Sequence, residues 1–210
     1  MKAISIVPLV ISVVGFTVCL LVFRICYSGG LMYAFIAWNL FLAAIPLCIS
    51  AVLSKTKRRN IQWLLFATWL LFFPNALYII TDLVHLKDRQ PVPYWFDMIL
   101  VFSAAMNGLI MAYVSLRQVE WFLEVKFRKQ IASFILLGCI FLGSFGVYIG
   151  RFLRWNSWDI LINPFDLAFE VAQHIINPFQ HPSTWEVTTV LTFFFSIFYF
   201  TVKKLPLPDG

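Results

Sequence analysis

The chain has 210 residues, of which 61% are hydrophobic and 12% are charged, and its formal net charge is +6. A soluble domain carries about 25% charged residues, and a soluble globule could not hide this much apolar surface from water. The Lys and Arg residues lie in short stretches between apolar runs, not on one basic surface, which argues against nucleic-acid binding. The composition therefore indicates an integral membrane protein whose main partner is the lipid bilayer.

Six apolar stretches are long enough to cross a bilayer, since a transmembrane helix needs about 20 mainly apolar residues. They cover residues 4–23, 31–53, 61–80, 96–116, 131–150 and 184–202. No segment between them could fold as a separate soluble domain. We therefore predict an all-α fold, a polytopic membrane helix bundle that forms one multi-pass domain over residues 1–210.

The distribution of Lys and Arg predicts the orientation of the six spans. Eleven of these residues lie near the two termini and in the second and fourth connecting loops, against five on the opposite side. Because cytoplasmic loops carry the excess of positive charge, both termini are predicted to be cytoplasmic. All three histidines and seven of the ten acidic residues then lie on the outer side, where binding or chemistry could occur.

A face of small residues marks the fourth apolar stretch, where Ala104, Gly108 and Ala112 recur every four positions. Small residues at this spacing let helices approach closely in lipid. We therefore expect tight helix packing around Gly108.

The long outer segment between the fifth and sixth spans contains a helix start. Asn163 followed by Pro164 is typical of an N-cap and a first helical position, so residues 164–176 are predicted to form a short amphipathic helix on the outer face. Four polar residues share one face of this helix: Asp166, Glu170, Gln173 and Asn177. The helix could lie in the membrane interface or across the bundle mouth with this face inward.

The densest polar stretch closes the third span. Asn75, Tyr78, Asp82 and His85 follow one another at intervals of three, four and three, and share one face if the helix continues past Ile80. Asp82 and His85 could supply acid–base chemistry or bind a metal, with Asn75 and Tyr78 in support. The alternative is a polar helix end with His85 among the lipid headgroups.

Two arginines, Arg151 and Arg154, lie at the outer end of the fifth span. Arginines in such a place are usually paired or bind an anion. Possible acidic partners are Asp82, Asp97 and Asp159. The functional alternative is an anion site for a lipid phosphate or a carboxylate, supported by Asn156 and Asp159.

Glu170 and His174 stand four residues apart on the predicted outer helix. Together with Asp82 and His85 they give two carboxylate–histidine pairs, a set that could hold a divalent metal ion. The spacing is not a recognised ligand motif, and plain helix pairs at this spacing are common. A divalent metal site and a purely structural role are therefore the two alternative interpretations of these residues.

Two motifs carry a resemblance to a known family. The stretches FPNALYIITDLVHL and GRFLRWNSWDI resemble an uncharacterised family of bacterial integral membrane proteins, domain-of-unknown-function family 1361, and the resemblance covers nearly the whole chain. It implies a multi-pass protein of the bacterial cytoplasmic membrane. It carries over no catalytic residues.

Three functional hypotheses fit these features. The first is an outward-facing enzyme, a hydrolase or transferase acting on a lipid or envelope substrate, with Asp82 and His85 at its centre. The second is a small transporter in which the same cluster forms an outer vestibule. The third is a non-catalytic assembly or partner protein. The sequence does not decide between them.

Overall fold

The computed structural model describes residues 6–87, 91–155 and 158–205. Its elements within these ranges are helical, so the predicted all-α fold is confirmed. In chain order they are α1 (Ile6–Ser28), α2 (Phe35–Lys55), α3 (Arg59–Tyr78), a 3₁₀ segment (Ile79–His85), α4 (Tyr94–Lys126), α5 (Lys129–Phe152), α6 (Asp159–Ile162), α7 (Pro164–Ile176) and α8 (Pro182–Lys204).

Six helical segments in the described ranges are long and apolar enough to cross a membrane. They are α1, α2, α3 with its 3₁₀ segment, α4, α5 and α8, in the order predicted. The short helix α7 has the predicted bounds and begins at Pro164. The side chain of Asn163 does not cap it. Asn163 Nδ2 instead donates a hydrogen bond to Asp166 Oδ2 over 2.7 Å.

The fourth helix is longer than predicted. It continues ten residues past position 116 to Lys126, so the predicted loop 117–130 is mostly helix. In this extension Phe122 and Leu123 are buried while Glu124 is exposed. An amphipathic helix of this kind contains charged residues, so it does not appear as an apolar run.

The chain divides into two compact units, Met1–Val119 and Glu120–Gly210. The first contains α1 to α3 and most of α4, and the second contains the end of α4 and α5 to α8. A single domain over residues 1–210 stays a prediction.

In the first unit, the predicted face of small residues on α4 lies in close packing. Ala104 and Ala112 are buried, and a Cβ at Gly108 would lie 2.7 Å from the carbonyl oxygen of Ala76 and 3.1 Å from Cβ of Ile79. The missing side chain therefore lets α4 approach the end of α3.

In the second unit, α5 and α8 pack against each other. Their buried residues include Leu136, Ile140 and Phe145 on α5, and Phe195 and Tyr199 on α8. This pair positions the polar side chains of α8.

Candidate functional site

A polar cluster lies where α1 ends and α2 and α4 begin, and we call it the first cluster; it comprises Arg24, Tyr33, Asn39, Asp82, His85 and Asp97. At its centre, Arg24 Nε donates to Asp97 Oδ1 over 3.0 Å, and Arg24 Nη2 donates to Asp97 Oδ2 over 3.2 Å. The side chains are 4% and 1% exposed. The Arg24 guanidinium also lies 4.7 Å from the Tyr33 ring centroid. Asp97, considered above as a partner for Arg151 or Arg154, therefore pairs with Arg24.

Asp82 is fully buried in the first unit, and its Oδ2 accepts a hydrogen bond from Asn39 Nδ2 over 2.7 Å. His85 is exposed. Its ring meets the Phe35 ring edge-on at 5.4 Å, and its carbonyl oxygen accepts a long hydrogen bond from the Tyr33 hydroxyl. The structure thus places Asp82 inside the unit and His85 at its surface. Their catalytic role stays a prediction.

The predicted common face of Asn75, Tyr78, Asp82 and His85 was conditional on a continuous α-helix. The α-helix ends at Tyr78 and a 3₁₀ segment follows, with Asn75 and Tyr78 half-buried. A 3₁₀ helix turns about 120° per residue against about 100° in an α-helix, so the face is not continuous across Tyr78.

The predicted anion site lies where α5 ends. Arg151 occupies the last turn and is half-buried, and Arg154 is exposed. The Arg154 backbone has a φ of 64°, the left-handed conformation that often ends helices. Asp159 is half-buried at the start of α6, and Asn156 lies outside the described residues. Anion binding stays a prediction.

A second cluster surrounds His174 in the second unit, and comprises Tyr148, Trp155, Glu170, His174, His181 and Thr184. His174 is 6% exposed, and its Nδ1 shares a 2.6 Å hydrogen bond with Thr184 Oγ1. The His181 ring stacks on the His174 ring with 3.9 Å between centroids. Glu170 accepts a 2.5 Å hydrogen bond from Trp155 Nε1. The position of His181 in this cluster was not predicted from the sequence.

The environment of His174 favours a neutral imidazole. Burial lowers the pKa of His174 below its ordinary value of 6.5, the nearby His181 lowers the pKa further, and Glu170 acts in the opposite direction. A neutral imidazole has one donor and one acceptor nitrogen, so it can pass a proton between two neighbours.

The predicted metal set belongs to both units, with Asp82 and His85 in the first and Glu170 and His174 in the second. Within the described ranges, no three or more His, Cys, Asp or Glu side chains form a group that could hold a metal ion. A metal at these four residues stays a prediction.

At the opposite end of α8 lies a third cluster, which was not predicted from the sequence. Glu120, 1% exposed, accepts a 2.9 Å hydrogen bond from the Tyr199 hydroxyl and a 2.6 Å ion-pair contact from Lys203 Nζ. All three residues belong to the second unit. The exposed Glu124, one helical turn further along α4, provides a natural comparison.

Between the second and third clusters, α8 carries a series of hydroxyl groups that we call the hydroxyl ladder: Thr184, Thr188, Thr192 and Ser196. They recur every four residues, and Tyr199 and Lys203 continue the same series at intervals of three and four. Residues at these intervals lie along one side of a helix. The spacing was visible in the sequence, but Ser and Thr are common in apolar runs and the series was not recognised there.

Several polar atoms along this side of α8 are buried without a hydrogen-bond partner in the described structure: Trp185 Nε1, Thr188 Oγ1 and Ser196 Oγ. Thr184 and Thr188 are fully buried. An open groove of about 380 Å³ between α5 and α8 reaches Ser196 from the Lys204 end of the helix.

These features define the class as an all-α protein whose described residues include six helices long and apolar enough to span a membrane, with polar clusters at both ends of α8. A family model described as "Protein of unknown function (DUF1361)" matches residues 38–199. The chain therefore belongs to this family, as the resemblance indicated. No curated protein and no solved structure matches the chain.

Proposed function

We propose that this protein is a small membrane transporter, and that its substrate moves along the polar side of α8. The observation that carries the proposal is the regular series of polar side chains on this helix, which runs from the cluster around His174 to the cluster around Glu120. Both clusters and the helix belong to one compact unit.

The energetics of a bilayer support a functional interpretation of this series. Ionisable groups in membrane-spanning helices are costly, and they commonly mark ion pathways and proton relays. Glu120 is 1% exposed and lies in the part of α4 that continues past the predicted span 96–116. A buried carboxylate at one end and a histidine pair at the other give the series a titratable group at each mouth.

The enzyme hypothesis has less support. Its proposed acid–base pair consists of Asp82, whose buried carboxylate is hydrogen-bonded to Asn39, and His85, which is exposed. The other buried charges of the first cluster, Arg24 and Asp97, pair with each other. This arrangement supports a stabilising role for the first cluster.

Transport can be tested with purified protein in sealed liposomes, by following the flux of H⁺, Na⁺, K⁺ and glycerol. We expect at least one of these to cross faster than in protein-free liposomes. Glu120→Gln should slow that flux, because it removes the buried charge while keeping the shape of the side chain. Glu124→Gln is the matched control, with the same change on the same helix at an exposed position. Background flux for every species would refute the proposal.

We also propose that the protein resides in a bacterial cytoplasmic membrane with both termini in the cytoplasm. The excess of Lys and Arg on the side of the termini supports this orientation. Reporter fusions can test it. Alkaline phosphatase, active only outside, should be inactive at the C-terminus and active when inserted after Gly30. The reverse pattern would require the opposite orientation.

A further inference from the structure

We infer that the transported species is the proton, and that it moves along the hydroxyl ladder of α8 through hydrogen-bonded water. The inference rests on the proposed transport function and adds the substrate and its route. Its evidence is the spacing of the ladder, the burial of Thr184 and Thr188 and the groups fixed at its two ends.

The spacing suits a chain of alternating hydroxyl groups and water molecules. Four residues of α-helix rise about 6 Å. One water molecule that makes two hydrogen bonds of about 2.8 Å at its roughly tetrahedral angle joins oxygen atoms about 4.6 Å apart, so one or two water molecules in series cover a rise of about 6 Å. Thr184, Thr188, Thr192 and Ser196 provide three successive steps of this length. Each hydroxyl can donate one hydrogen bond and accept another, as proton relay requires.

The hydrogen-bonding state of the ladder supports the same conclusion. Thr192 Oγ1 donates to the carbonyl oxygen of Thr188 over 2.7 Å, so this hydroxyl must rotate away from the backbone to pass a proton along the file. Thr188 Oγ1 and Ser196 Oγ, in contrast, are buried without a partner in the described structure. A buried hydroxyl without a hydrogen bond is unfavourable, and a water file along α8 would satisfy both groups.

The end of the ladder near α7 has groups suited to proton uptake. The ladder begins at Thr184, which shares a 2.6 Å hydrogen bond with His174 Nδ1. His181 stacks on the His174 ring, and the nearby Glu170 acts to raise the pKa of His174. A proton taken up by one nitrogen of a neutral imidazole allows the other nitrogen to release its proton toward Thr184.

The other end has groups suited to proton release. The Tyr199 hydroxyl follows Ser196 by three residues and donates to Glu120 Oε2 over 2.9 Å. Lys203 Nζ contacts Glu120 Oε1 at 2.6 Å, and the Lys203 side chain is 25% exposed. Glu120 can therefore accept a proton from Tyr199. Lys203 releases a proton from its ammonium group to water at the surface of the unit, and the neutral amine then takes the proton of Glu120.

The transfer leaves no net chemical change in the protein. Each hydroxyl group, water molecule and imidazole ring binds one proton while releasing another to its neighbour, whereas Lys203 first releases its proton and then takes the one that Glu120 has accepted. One proton enters at the His174 end for each proton that leaves at the Glu120 end. Because Thr184 and Thr188 are fully buried, the route is narrow, and we expect it to exclude hydrated Na⁺ and K⁺.

The test compares two isosteric substitutions on adjacent residues of the full-length protein in liposomes that contain a pH-sensitive dye. Thr188→Val removes a buried ladder hydroxyl, whereas Thr189→Val makes the same change at an exposed position. With a K⁺ gradient and valinomycin as the driving force, we expect Thr188→Val to lower H⁺ flux by about tenfold, since it removes a donor and acceptor from the chain. Thr189→Val should conduct like the wild type.

A structural role for the hydroxyl would give a different result. Thr188→Val keeps the volume of the side chain and leaves no polar atom of its own without a hydrogen bond, so it should lose flux while remaining fully folded. Equal H⁺ flux in the two variants would overturn the inference that protons move along the hydroxyl ladder. Flux of Na⁺, K⁺ or glycerol without H⁺ flux would overturn the proton inference and leave the transport proposal standing. Flux no faster than in protein-free liposomes for every species would refute both the proton inference and the transport proposal.

Discussion

Arg24 and Asp97 lie 73 positions apart in the sequence, and they form a two-point ion pair that is almost completely buried. Arg24 Nη1 makes a further hydrogen bond to Ser28 Oγ at 3.1 Å, within α1. The pair joins the end of α1 to the start of α4 inside the first unit. The positions of both residues were evident from the sequence, but their pairing was not.

Removing one partner of this pair should destabilise the first unit. Arg24→Ala would leave the Asp97 carboxylate buried without its counter-charge, and breaking a buried ion pair costs about 3–5 kcal/mol. Unfolding in mixed micelles by SDS titration measures the change. Arg58→Ala is the control, because Arg58 is exposed and its loss should change stability by only about 0.5 kcal/mol or less.

The double variant Arg24→Met with Asp97→Leu tests whether the single change destabilises the unit because it leaves a buried charge unpaired. Replacing a buried ion pair with apolar residues of similar volume is often neutral or stabilising, so the double variant should recover most of the lost stability. Equal stability of Arg24→Ala and Arg58→Ala would show that the ion pair contributes little.

The close approach at Gly108 gives a second prediction. In Gly108→Ala the new Cβ would lie 2.7 Å from the Ala76 carbonyl oxygen, a backbone atom that cannot move aside independently. Overpacking of this kind costs about 1–3 kcal/mol, so the unfolding midpoint should fall. Gly138→Ala is the matched control. It places a methyl group where nothing lies within 4 Å, and Ala favours helix over Gly. An unchanged unfolding midpoint in Gly108→Ala would contradict the close packing at Gly108.

The long helices were predictable because each depends on a property of its own segment. An apolar run of about 20 residues predicts a span, and Asn163-Pro164 predicts the start of α7. The extension of α4 to Lys126 was missed because its charged residues interrupt the apolar run, although Phe122 and Leu123 keep one side of the helix buried.

The side-chain partnerships were not predictable from the sequence, because they depend on how distant helices pack. Glu120 meets Lys203 across 83 positions, and Asn39 meets Asp82 across 43. Local spacing predicted an Asp82–His85 pair, but a change from α to 3₁₀ geometry at Tyr78 and the contact with Asn39 determine where Asp82 lies. Spacing alone revealed neither feature.

The buried His174 predicts that acid destabilises the second unit. Burial and the neighbouring His181 lower the pKa of His174 below 6.5 in the folded state. The unfolded chain therefore binds more protons just below pH 6.5, and the stability present above that pH is lost as the pH falls. Thermal unfolding in detergent should show a lower midpoint at pH 5.5 than at pH 7.5.

Two variants test whether His174 is the group responsible for this pH dependence. His174→Gln should reduce the difference between the two midpoints, because it removes the buried titrating ring. His85→Gln should leave the difference unchanged, since His85 belongs to the first unit and is exposed. An unchanged difference in His174→Gln would mean that another group is responsible.

The last prediction concerns α7, whose surface has three sides. One side holds the buried His174, and a second carries the polar residues Asp166 and Gln173. The third exposes large apolar side chains: Phe165 is 85% exposed, Phe169 67% and Ile176 73%. Short connections join α7 with the adjoining α6 to α5 and α8, which are both candidate spans. These connections favour a location of α7 at the membrane boundary, with its apolar side in lipid.

Spin labels on α7 can measure this location in liposomes, using a background in which the four native cysteines are replaced. A label at Phe165→Cys should be more accessible to oxygen, which concentrates in lipid, than to a water-soluble nickel chelate. A label at Asp166→Cys, less than one turn away on the polar side, should show the opposite preference. Strong chelate access at both positions would place α7 in water, and its exposed phenylalanines would then have to meet a protein partner.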